Sequence, residues 1–210
     1  MRMNTPLPKQ FLLLKGLPVL MQTLSVFYRF QSDAFIVLVL PHQQENHWKQ
    51  LCREYTFTIP HQIVMGGPTR FHSVKNALKI LPDDGVVAIH DGVRPLVSVK
   101  TIAETFRIAE KLGNAIPVMK IAESVRIVDG AFNKPLRRDS LRIIQTPQCF
   151  RAKLIKKAYE TNYDESFTDD ASVLEKTGER IYLCEGNREN IKITTPEDMV
   201  VAEALMAGIP

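Results

Sequence analysis

The stretch that decides the fold reads Val86-Val87-Ala88-Ile89-His90-Asp91-Gly92-Val93-Arg94-Pro95. Four apolar residues lead to an acid, and an arginine follows three positions after that acid. Short apolar runs bounded by turn residues predict strands, and parallel strands are buried on both faces. Ligands of open α/β sheets bind beyond the carboxyl ends of the strands, where Asp91 and Arg94 would lie. A carboxylate there suits a metal ion and a guanidinium suits a phosphate, while an ion pair that only stiffens the loop is the alternative.

The composition is that of an ordinary globular protein. Apolar residues make up 45% and charged residues 24% of the 210, enough for one large domain or two small ones. No apolar run reaches the roughly 18 residues of a membrane span, and we expect neither a signal peptide nor a membrane partner. The net charge is +4, and Lys and Arg are scattered along the chain. We therefore expect a small polyanionic substrate and no nucleic acid as partner.

The cysteines and histidines do not form a metal-binding or hydrolytic pattern. Cys52, Cys149 and Cys184 are odd in number and far apart, which is typical of reduced thiols in a cytoplasmic protein. Four further histidines share no metal-ligand spacing, and His90 is expected to position its own loop. A Ser–His–Asp hydrolase is not indicated.

Short apolar runs alternate with amphipathic ones along the chain. The predicted strands are Phe35–Leu40, Phe57–Val64, Val86–Ile89, Ala115–Val118, Ile181–Cys184 and Ile191–Ile193. The predicted helices are Val19–Arg29, Gln43–Arg53, Phe71–Ile80, Val99–Leu112, Lys153–Tyr159, Asp169–Glu175 and Glu197–Met206. Ser98 is the expected cap of the fourth helix with Gly113 at its end, and Thr195-Pro196 starts the last one. The alternation predicts α/β architecture: a Rossmann-like, mostly parallel sheet with flanking helices.

One segment interrupts this alternation, at about residues 120–146. It contains Ser124–Val128, a turn at Asp129-Gly130 and a second β-compatible run from Leu136 to Ile144. Asp-Gly between two such runs predicts a hairpin, which has little apolar surface of its own to bury. We therefore predict one domain, residues 1–210, with a projecting β-arm that leans on another surface.

Several segments carry residues suited to anion binding, each with a plainer alternative. Arg2 and Lys9 flank two prolines and could grip a triphosphate, or form a frayed basic terminus. The segment Gly66-Gly67-Pro68-Thr69-Arg70-Phe71-His72-Ser73 joins a strand to a helix, where glycines allow close approach and the helix start attracts anions, although it is no Walker loop.

Three further features lie in the second half of the chain. Arg137 and Arg138 fall on the arm, where arginines are ordinarily solvated, and Gln145-Thr146-Pro147-Gln148 follows them. Thr168 could simply cap a helix. Lys192 is a charge within an apolar run, and it requires an anionic partner or a route to solvent.

Taken together and in this order, the motifs resemble the 2-C-methyl-D-erythritol 4-phosphate cytidylyltransferase family. The resemblance rests on six motifs across nearly the whole chain: Pro8-Lys9-Gln10, Gly66-Gly67 with Arg70 and Ser73, His90-Asp91 with Arg94-Pro95, Gln145-Thr146-Pro147-Gln148, Thr168-Asp169, and Asn190-Ile191-Lys192 with Thr195-Pro196-Glu197-Asp198. It implies a Rossmann-like fold and a homodimer in which each subunit swaps a β-arm.

The resemblance also implies a reaction and a role for each site residue. The family transfers CMP from CTP to 2-C-methyl-D-erythritol 4-phosphate and releases pyrophosphate, with Mg²⁺ as cofactor. The implied catalytic cations are Arg2, Lys9 and Lys192. The implied CTP-binding residues are Gly66, Gly67, Arg70, Ser73 and Asp91, of which Asp91 also places Mg²⁺. The implied substrate-binding residues are Arg94, Ser124, Arg138, Thr146 and Thr168, with Ser124 standing where the family commonly has threonine.

The chain departs from the family pattern at its beginning. The family has an apolar strand and an Ala-Ala-Gly-x-Gly-type loop before Arg-Met, whereas this sequence starts at Met1-Arg2-Met3. Roughly 15 residues of strand and loop would precede it. We expect that segment to lie outside the sequence as given. The alternatives are a non-catalytic nucleotide-binding protein, if the chain is truly short, and a ribitol 5-phosphate cytidylyltransferase, which has a similar nucleotide site.

Overall fold

The computed structural model describes residues 7–208, in which helices and strands alternate. Its strands are β1 Leu13–Leu14, β2 Leu17–Pro18, β3 Val37–Leu40, β4 Gln62–Met65, β5 Val86–Ile89, β6 Asn114–Lys120, β7 Val125–Asp129, β8 Phe132–Leu136, β9 Arg142–Ile144, β10 Gln148–Arg151 and β11 Leu183–Glu185. Its α-helices are α1 Val19–Phe30, α2 Glu45–Glu54, α3 Arg70–Leu78, α4 Val99–Leu112, α5 Ala152–Ala158, α6 Asp170–Glu175 and α7 Pro196–Ala207. The predicted α/β class with flanking helices is confirmed.

The main sheet has five strands and is mixed. Four of them lie in the order β11-β6-β10-β5, and β9 also pairs with β6. Strand β11 runs parallel to β6, whereas β10 is antiparallel to both β5 and β6. A separate parallel pair is formed by β3 and β4. Strand β10 is not among the predicted strands, because its residues Gln148-Cys149-Phe150-Arg151 contain no apolar run.

The predicted strand Phe57–Val64 is shorter and lies later in the chain, at Gln62–Met65. The strand predicted at residues 191–193 and the burial predicted for Val86–Ile89 also need correction. Ile191–Ile193 is not a strand. The Ile193 amide instead donates a hydrogen bond to the Val93 carbonyl, in the segment after β5, at 3.0 Å. Val86–Ile89 is a strand, but its residues are only partly buried. Within residues 7–208, β5 lies at the edge of its sheet and pairs with β10 alone.

The helix ends follow the signals in the sequence. The Ser98 hydroxyl accepts a hydrogen bond from the Thr101 amide, and Gly113 ends α4 with a φ of +100°, a conformation in which glycine carries no steric cost. Thr195 and Asp198 form a reciprocal capping box around Pro196. At α6 the cap is Asp169, whose side chain accepts from the Ser172 amide, so the predicted cap Thr168 is wrong.

Two clusters of buried side chains fix the elements that carry the candidate site. Phe150, Ile116 and Leu174 are fully buried and join α6 to the main sheet. Truncating a buried phenylalanine such as Phe150 typically costs about 3–5 kcal/mol of stability. Phe11 stacks on Trp48 with ring centroids 6.2 Å apart, and this contact anchors the short 3-10 helix Lys9–Phe11. Packing of these apolar side chains thus fixes the elements on which polar candidate site residues lie.

The arm is a hairpin of β7 and β8, which pair with each other and with no other strand of residues 7–208. The predicted turn at Asp129-Gly130 is confirmed, with Gly130 at a φ of +56°. The return strand is Phe132–Leu136, earlier than predicted, and Arg142–Ile144 joins β6 instead. Val128 and Phe132 are 70% and 83% exposed at the tip. Among the described helices, none combines the length and apolar character needed to cross a membrane.

Candidate active site

The turn that follows β5 brings one carboxylate and two cations together. The Arg94 amide donates to the Asp91 carbonyl at 3.0 Å and closes the turn. Asp91 Oδ2 accepts from Arg94 Nε at 3.0 Å and lies 3.2 Å from Lys192 Nζ. The side chains of Asp91 and Arg94 are 15% and 12% exposed, whereas Lys192 is 43% exposed. The two predicted motifs, 100 residues apart in the chain, therefore meet at the carboxyl end of β5.

The charges around Asp91 determine its ionisation. Burial raises the pKa of this carboxyl, but Lys192 and the hydrogen bond from Arg94 outweigh burial and hold the pKa below its ordinary value. Arg70 lowers it further by a smaller amount. Asp91 is thus an anion at neutral pH, and both ion pairs use its Oδ2. Within residues 7–208, neither ion-pair distance is to Oδ1.

A loop after β11 holds Arg94 in place. Arg94 Nη1 donates to the Asn190 carbonyl at 2.7 Å, and Asn190 Nδ2 donates to the Thr146 carbonyl at 2.8 Å. Gln145 Nε2 donates to the Asn187 carbonyl at 2.9 Å. Asn190 is fully buried and Gln145 nearly so. Neither was assigned a role from sequence, although both lie inside the quoted motifs, because an amide gives no signal until its partners are known.

Thr146 lies against the same turn. The Asp91 amide donates to Thr146 Oγ1 at 3.1 Å, across 55 residues of sequence. Thr146 is 5% exposed, so its hydroxyl is part of the protein interior. Arg94, Thr146 and Lys192 are therefore predicted site residues that contact Asp91 directly.

The glycine-containing segment forms a compact loop between β4 and α3. The Gly67 amide donates to Ser73 Oγ at 3.0 Å, and Ser73 Oγ donates to the Thr69 carbonyl at 3.0 Å. A Cβ on Gly67 would lie 2.4 Å from His72 Cβ, so no other residue fits there without a shift. The Gly66 amide donates to the Leu40 carbonyl at 2.9 Å. The loop is held against α3 and β3 before any ligand arrives.

Arg70, the first residue of α3, is paired with Asp170 at the start of α6. Burial lowers the pKa of Arg70, but the Asp170 carboxylate more than offsets this and raises it. The positive charge of Arg70 also lowers the pKa of Asp91. The Gly66–Ser73 loop and the Asp91 turn are thus close enough to interact electrostatically.

The remaining predicted residues do not join this cluster. Thr168 is exposed and borders a pocket of about 360 Å³ together with Ile144 and Leu183. Ser124 and Arg138 are exposed on the arm, where Arg138 Nη1 donates to the Ala122 carbonyl. Lys9 lies in the short 3-10 helix before β1, and Arg2 lies outside the described residues.

A divalent cation would find one protein ligand here. Among residues 7–208 no group of three or more His, Cys, Asp or Glu could hold a metal ion. Mg²⁺ is usually bound through one or two carboxylates together with substrate phosphates and water, so it does not need such a group. The anionic Asp91 fits that mode of binding.

Comparison with known proteins identifies the family. The family model for 2-C-methyl-D-erythritol 4-phosphate cytidylyltransferase matches residues 1–208. The chain belongs to this family. The cytidylyltransferase of Bacteroides fragilis is 51% identical over 206 residues, which cover 98% of this chain and 94% of the relative. That of Porphyromonas gingivalis is 48% identical over 209 residues, covering 99% and 93%.

Solved structures of cytidylyltransferases in this family share the fold. The 4-diphosphocytidyl-2C-methyl-D-erythritol synthase of Anaerococcus prevotii superposes with a TM-score of 0.84 at 30% identity, covering 98% of this chain and 93% of that one. The cytidylyltransferase of Thermus thermophilus superposes with a TM-score of 0.80 at 29% identity, covering 95% and 94%. The family resemblance inferred from the motifs and the predicted fold class are both confirmed.

Proposed function

We propose that this protein transfers CMP from CTP to 2-C-methyl-D-erythritol 4-phosphate and releases pyrophosphate. The observation that carries the proposal is the meeting of Arg94 and Lys192 on the Asp91 carboxylate at the carboxyl end of β5. Two cations beside one anion, next to a loop held at a helix start, suit two phosphate-bearing ligands and a metal ion. Membership of the cytidylyltransferase family supports the same assignment.

The proposed chemistry needs no general base. An oxygen of the acceptor phosphate forms a bond to the α-phosphorus of CTP, and the bond from that phosphorus to its bridging oxygen breaks. The electron pair leaves with pyrophosphate. The attacking phosphate is already ionised, so the barrier is repulsion between anions and the charge that develops on the leaving group. Preorganised cations lower such a barrier by positioning and electrostatic stabilisation.

We assign the roles as follows. Arg2 and Lys9 stabilise the triphosphate charge in the transition state, and Gly66, Gly67 and Ser73 bind the cytidine. Arg70 supports that loop through its pair with Asp170. Arg94, Thr168 and Lys192 face the acceptor phosphate. Lys192 suits this role because it is 43% exposed and can exchange Asp91 for a phosphate oxygen.

Mg²⁺ is the proposed cofactor, held by Asp91 and by phosphate oxygens of CTP. When bound, it neutralises the charge on the triphosphate. The protein's own part is to keep Asp91 ionised, which Lys192 and Arg94 do. The three cysteines are all free thiols, which supports the cytoplasm as the proposed location.

The proposed assembly is a homodimer joined by the arm, residues 120–146. The β7–β8 hairpin makes no pairing outside itself and exposes Val128 and Phe132 at its tip. An isolated two-stranded hairpin is marginally stable in water, and exposed apolar clusters of this kind mark interfaces. A second subunit under the arm would bury these side chains. It would also bring Ser124 and Arg138 to the partner's acceptor site.

The activity is tested by pyrophosphate release from CTP and Mg²⁺ with 2-C-methyl-D-erythritol 4-phosphate or ribitol 5-phosphate. We expect turnover with the first acceptor and little with the second. Lys192→Ala should lose activity, and Lys49→Ala is the matched control because Lys49 pairs with Glu45 on the surface of α2. Preference for ribitol 5-phosphate would change the substrate. CTP binding without turnover would favour a non-catalytic protein.

The assembly is tested by sedimentation of a double variant, Val128→Asp with Phe132→Asp. We expect the dimer to dissociate while the far-UV spectrum is kept. Val200→Asp is the control, because Val200 is 68% exposed on α7 and lies off the arm. A wild-type monomer, or a double variant that remains dimeric, contradicts the proposed interface.

A further inference from the structure

Two side chains connect the beginning and the end of the turn that carries Asp91 and Arg94. The Asp91 amide donates to Thr146 Oγ1 at 3.1 Å. Thr146 Oγ1 lies 2.9 Å from His90 Nδ1, and His90 Nε2 lies 3.0 Å from the Arg94 carbonyl oxygen. The chain of bonds thus leaves the turn at its first residue and returns at its last. We call the side chains of Thr146 and His90 the hydroxyl–imidazole bridge.

The chemistry of the partners fixes the direction of every proton in this bridge. A carbonyl oxygen only accepts, so His90 Nε2 carries the proton that it donates to Arg94. In the neutral ring Nδ1 is then an acceptor, and it takes the single hydroxyl proton of Thr146. Thr146 Oγ1 uses a lone pair to accept a hydrogen bond from the Asp91 amide. With the ring neutral, each group therefore has one role in the three bonds.

Packing holds the imidazole in this orientation. Phe27 of α1 meets the His90 ring edge to face, with centroids 4.8 Å apart. The Thr146 carbonyl is held by Asn190 Nδ2, so the residue is fixed through its main chain as well. The bridge therefore supports the turn through hydrogen bonds that join protein groups to one another.

We propose that Thr146 and His90 are positioning residues, whose bridge holds the Asp91 carboxylate and the Arg94 guanidinium in the arrangement that receives the phosphates. The inference rests on the proposed function for its turnover readout. Thr146 acts on the reaction through Asp91.

The first test is independent of activity. In ¹⁵N NMR spectra of the wild-type protein without ligands, assigned with His90→Gln, we expect His90 to be the Nε2-protonated tautomer with an acceptor Nδ1. Thr146→Val should move the Nδ1 resonance, while Thr146→Ser should leave it near its wild-type position. Thr105→Val is the matched control, because Thr105 is also a buried hydroxyl and donates to the Thr101 carbonyl within α4. An Nδ1-protonated ring, or no change in Thr146→Val, overturns the bridge.

The second test uses turnover and Mg²⁺ dependence. Loss of a supporting bond behind a ligand typically costs about 10- to 100-fold in activity or metal affinity, which we expect for kcat/KM of Thr146→Val. The Mg²⁺ concentration for half-maximal activity should rise, and Thr146→Ser should restore both. Adding Thr146→Val to His90→Gln should cost less than adding it to the wild type, since the bond is already lost.

These outcomes separate the bridge from the proposed function. Wild-type turnover together with strictly additive effects of the two substitutions, or an unchanged Mg²⁺ requirement in Thr146→Val, overturns the positioning role and leaves the transferase assignment intact. A wild-type protein without turnover overturns the assignment, and the NMR result then decides the bridge alone. Thr105→Val should change neither kcat/KM nor the Mg²⁺ requirement.

Discussion

Arg70 and Asp170 form a two-bond ion pair that ties the start of α3 to the start of α6. Arg70 Nη1 donates to Asp170 Oδ1 at 2.8 Å and Nη2 donates to Oδ2 at 2.5 Å. Tyr159 also donates its hydroxyl to Oδ1, at 2.6 Å. Asp170 is fully buried, whereas Arg70 is 41% exposed. The pair connects the Gly66–Ser73 loop to Thr168 and Asp169, two segments that no backbone ladder joins.

Replacing the buried acid of this pair should destabilise the fold. Removing one partner of a buried ion pair typically costs about 3–5 kcal/mol, and the partial exposure of Arg70 puts Asp170→Asn near the lower end. Urea unfolding gives the free energy. Asp83→Asn is the control, because Asp83 pairs with Lys156 on the surface and is 65% exposed. Such a surface pair contributes little to stability. Equal stability of the two variants contradicts a structural role for the Arg70–Asp170 pair.

Lys9→Ala should be nearly inactive while keeping its fold. Removing one preorganised donor from a transition state typically costs about 2.7–4 kcal/mol of barrier. The fold should survive because the segment is anchored by Phe11, which is 1% exposed. Steady-state turnover and circular dichroism measure the two effects, with the exposed Lys79→Ala as control. Near-normal turnover of Lys9→Ala would remove Lys9 from the mechanism.

Mixed dimers should show that the arm acts on the partner's site. An Arg138→Ala subunit keeps Asp91, and an Asp91→Ala subunit keeps Arg138. In a heterodimer of the two, one site has both residues and the other has neither. We expect each homodimer to be impaired and isolated heterodimers to recover about one working site. Heterodimers that stay inactive would argue that Arg138 serves its own subunit.

Acid should weaken the fold through His90. Burial lowers the pKa of this imidazole to about 4, against an ordinary value near 6.5. Between these values the unfolded chain binds a proton that the folded chain excludes, so stability falls as the pH decreases from about 6.5 to 4. The loss from this group is at most about 3.4 kcal/mol.

The measurement compares unfolding free energies at pH 7 and pH 4.5. The wild type should lose more stability in acid than His90→Gln, because glutamine does not titrate. His42→Gln is the control, since His42 is exposed in the 3-10 helix His42–Gln44. A wild type and a His90→Gln variant with the same pH dependence would show that His90 is not held neutral.

Local features of the sequence were sufficient for most elements and for the chemistry of the motifs. Ser98 and Gly113 bound α4, and Thr195 with Pro196 begins α7, because capping involves residues only a few positions apart. The strand Val86–Ile89 could be predicted from its apolar run, and the polar residues after it indicated the site. The order of six motifs was enough for the family.

Tertiary structure decided the pairings that cross large distances in the chain. Strand β10 has no apolar run and exists because β5 and β6 bond to it from both sides. No residue near Asp170 in the sequence predicts that it pairs with Arg70, which lies 100 residues away. Thr146 contacts Asp91 across 55 residues of sequence. The direction of its hydroxyl proton depends on a second contact, with His90. A hydrogen bond depends on distance and angle between two groups, and sequence order specifies neither.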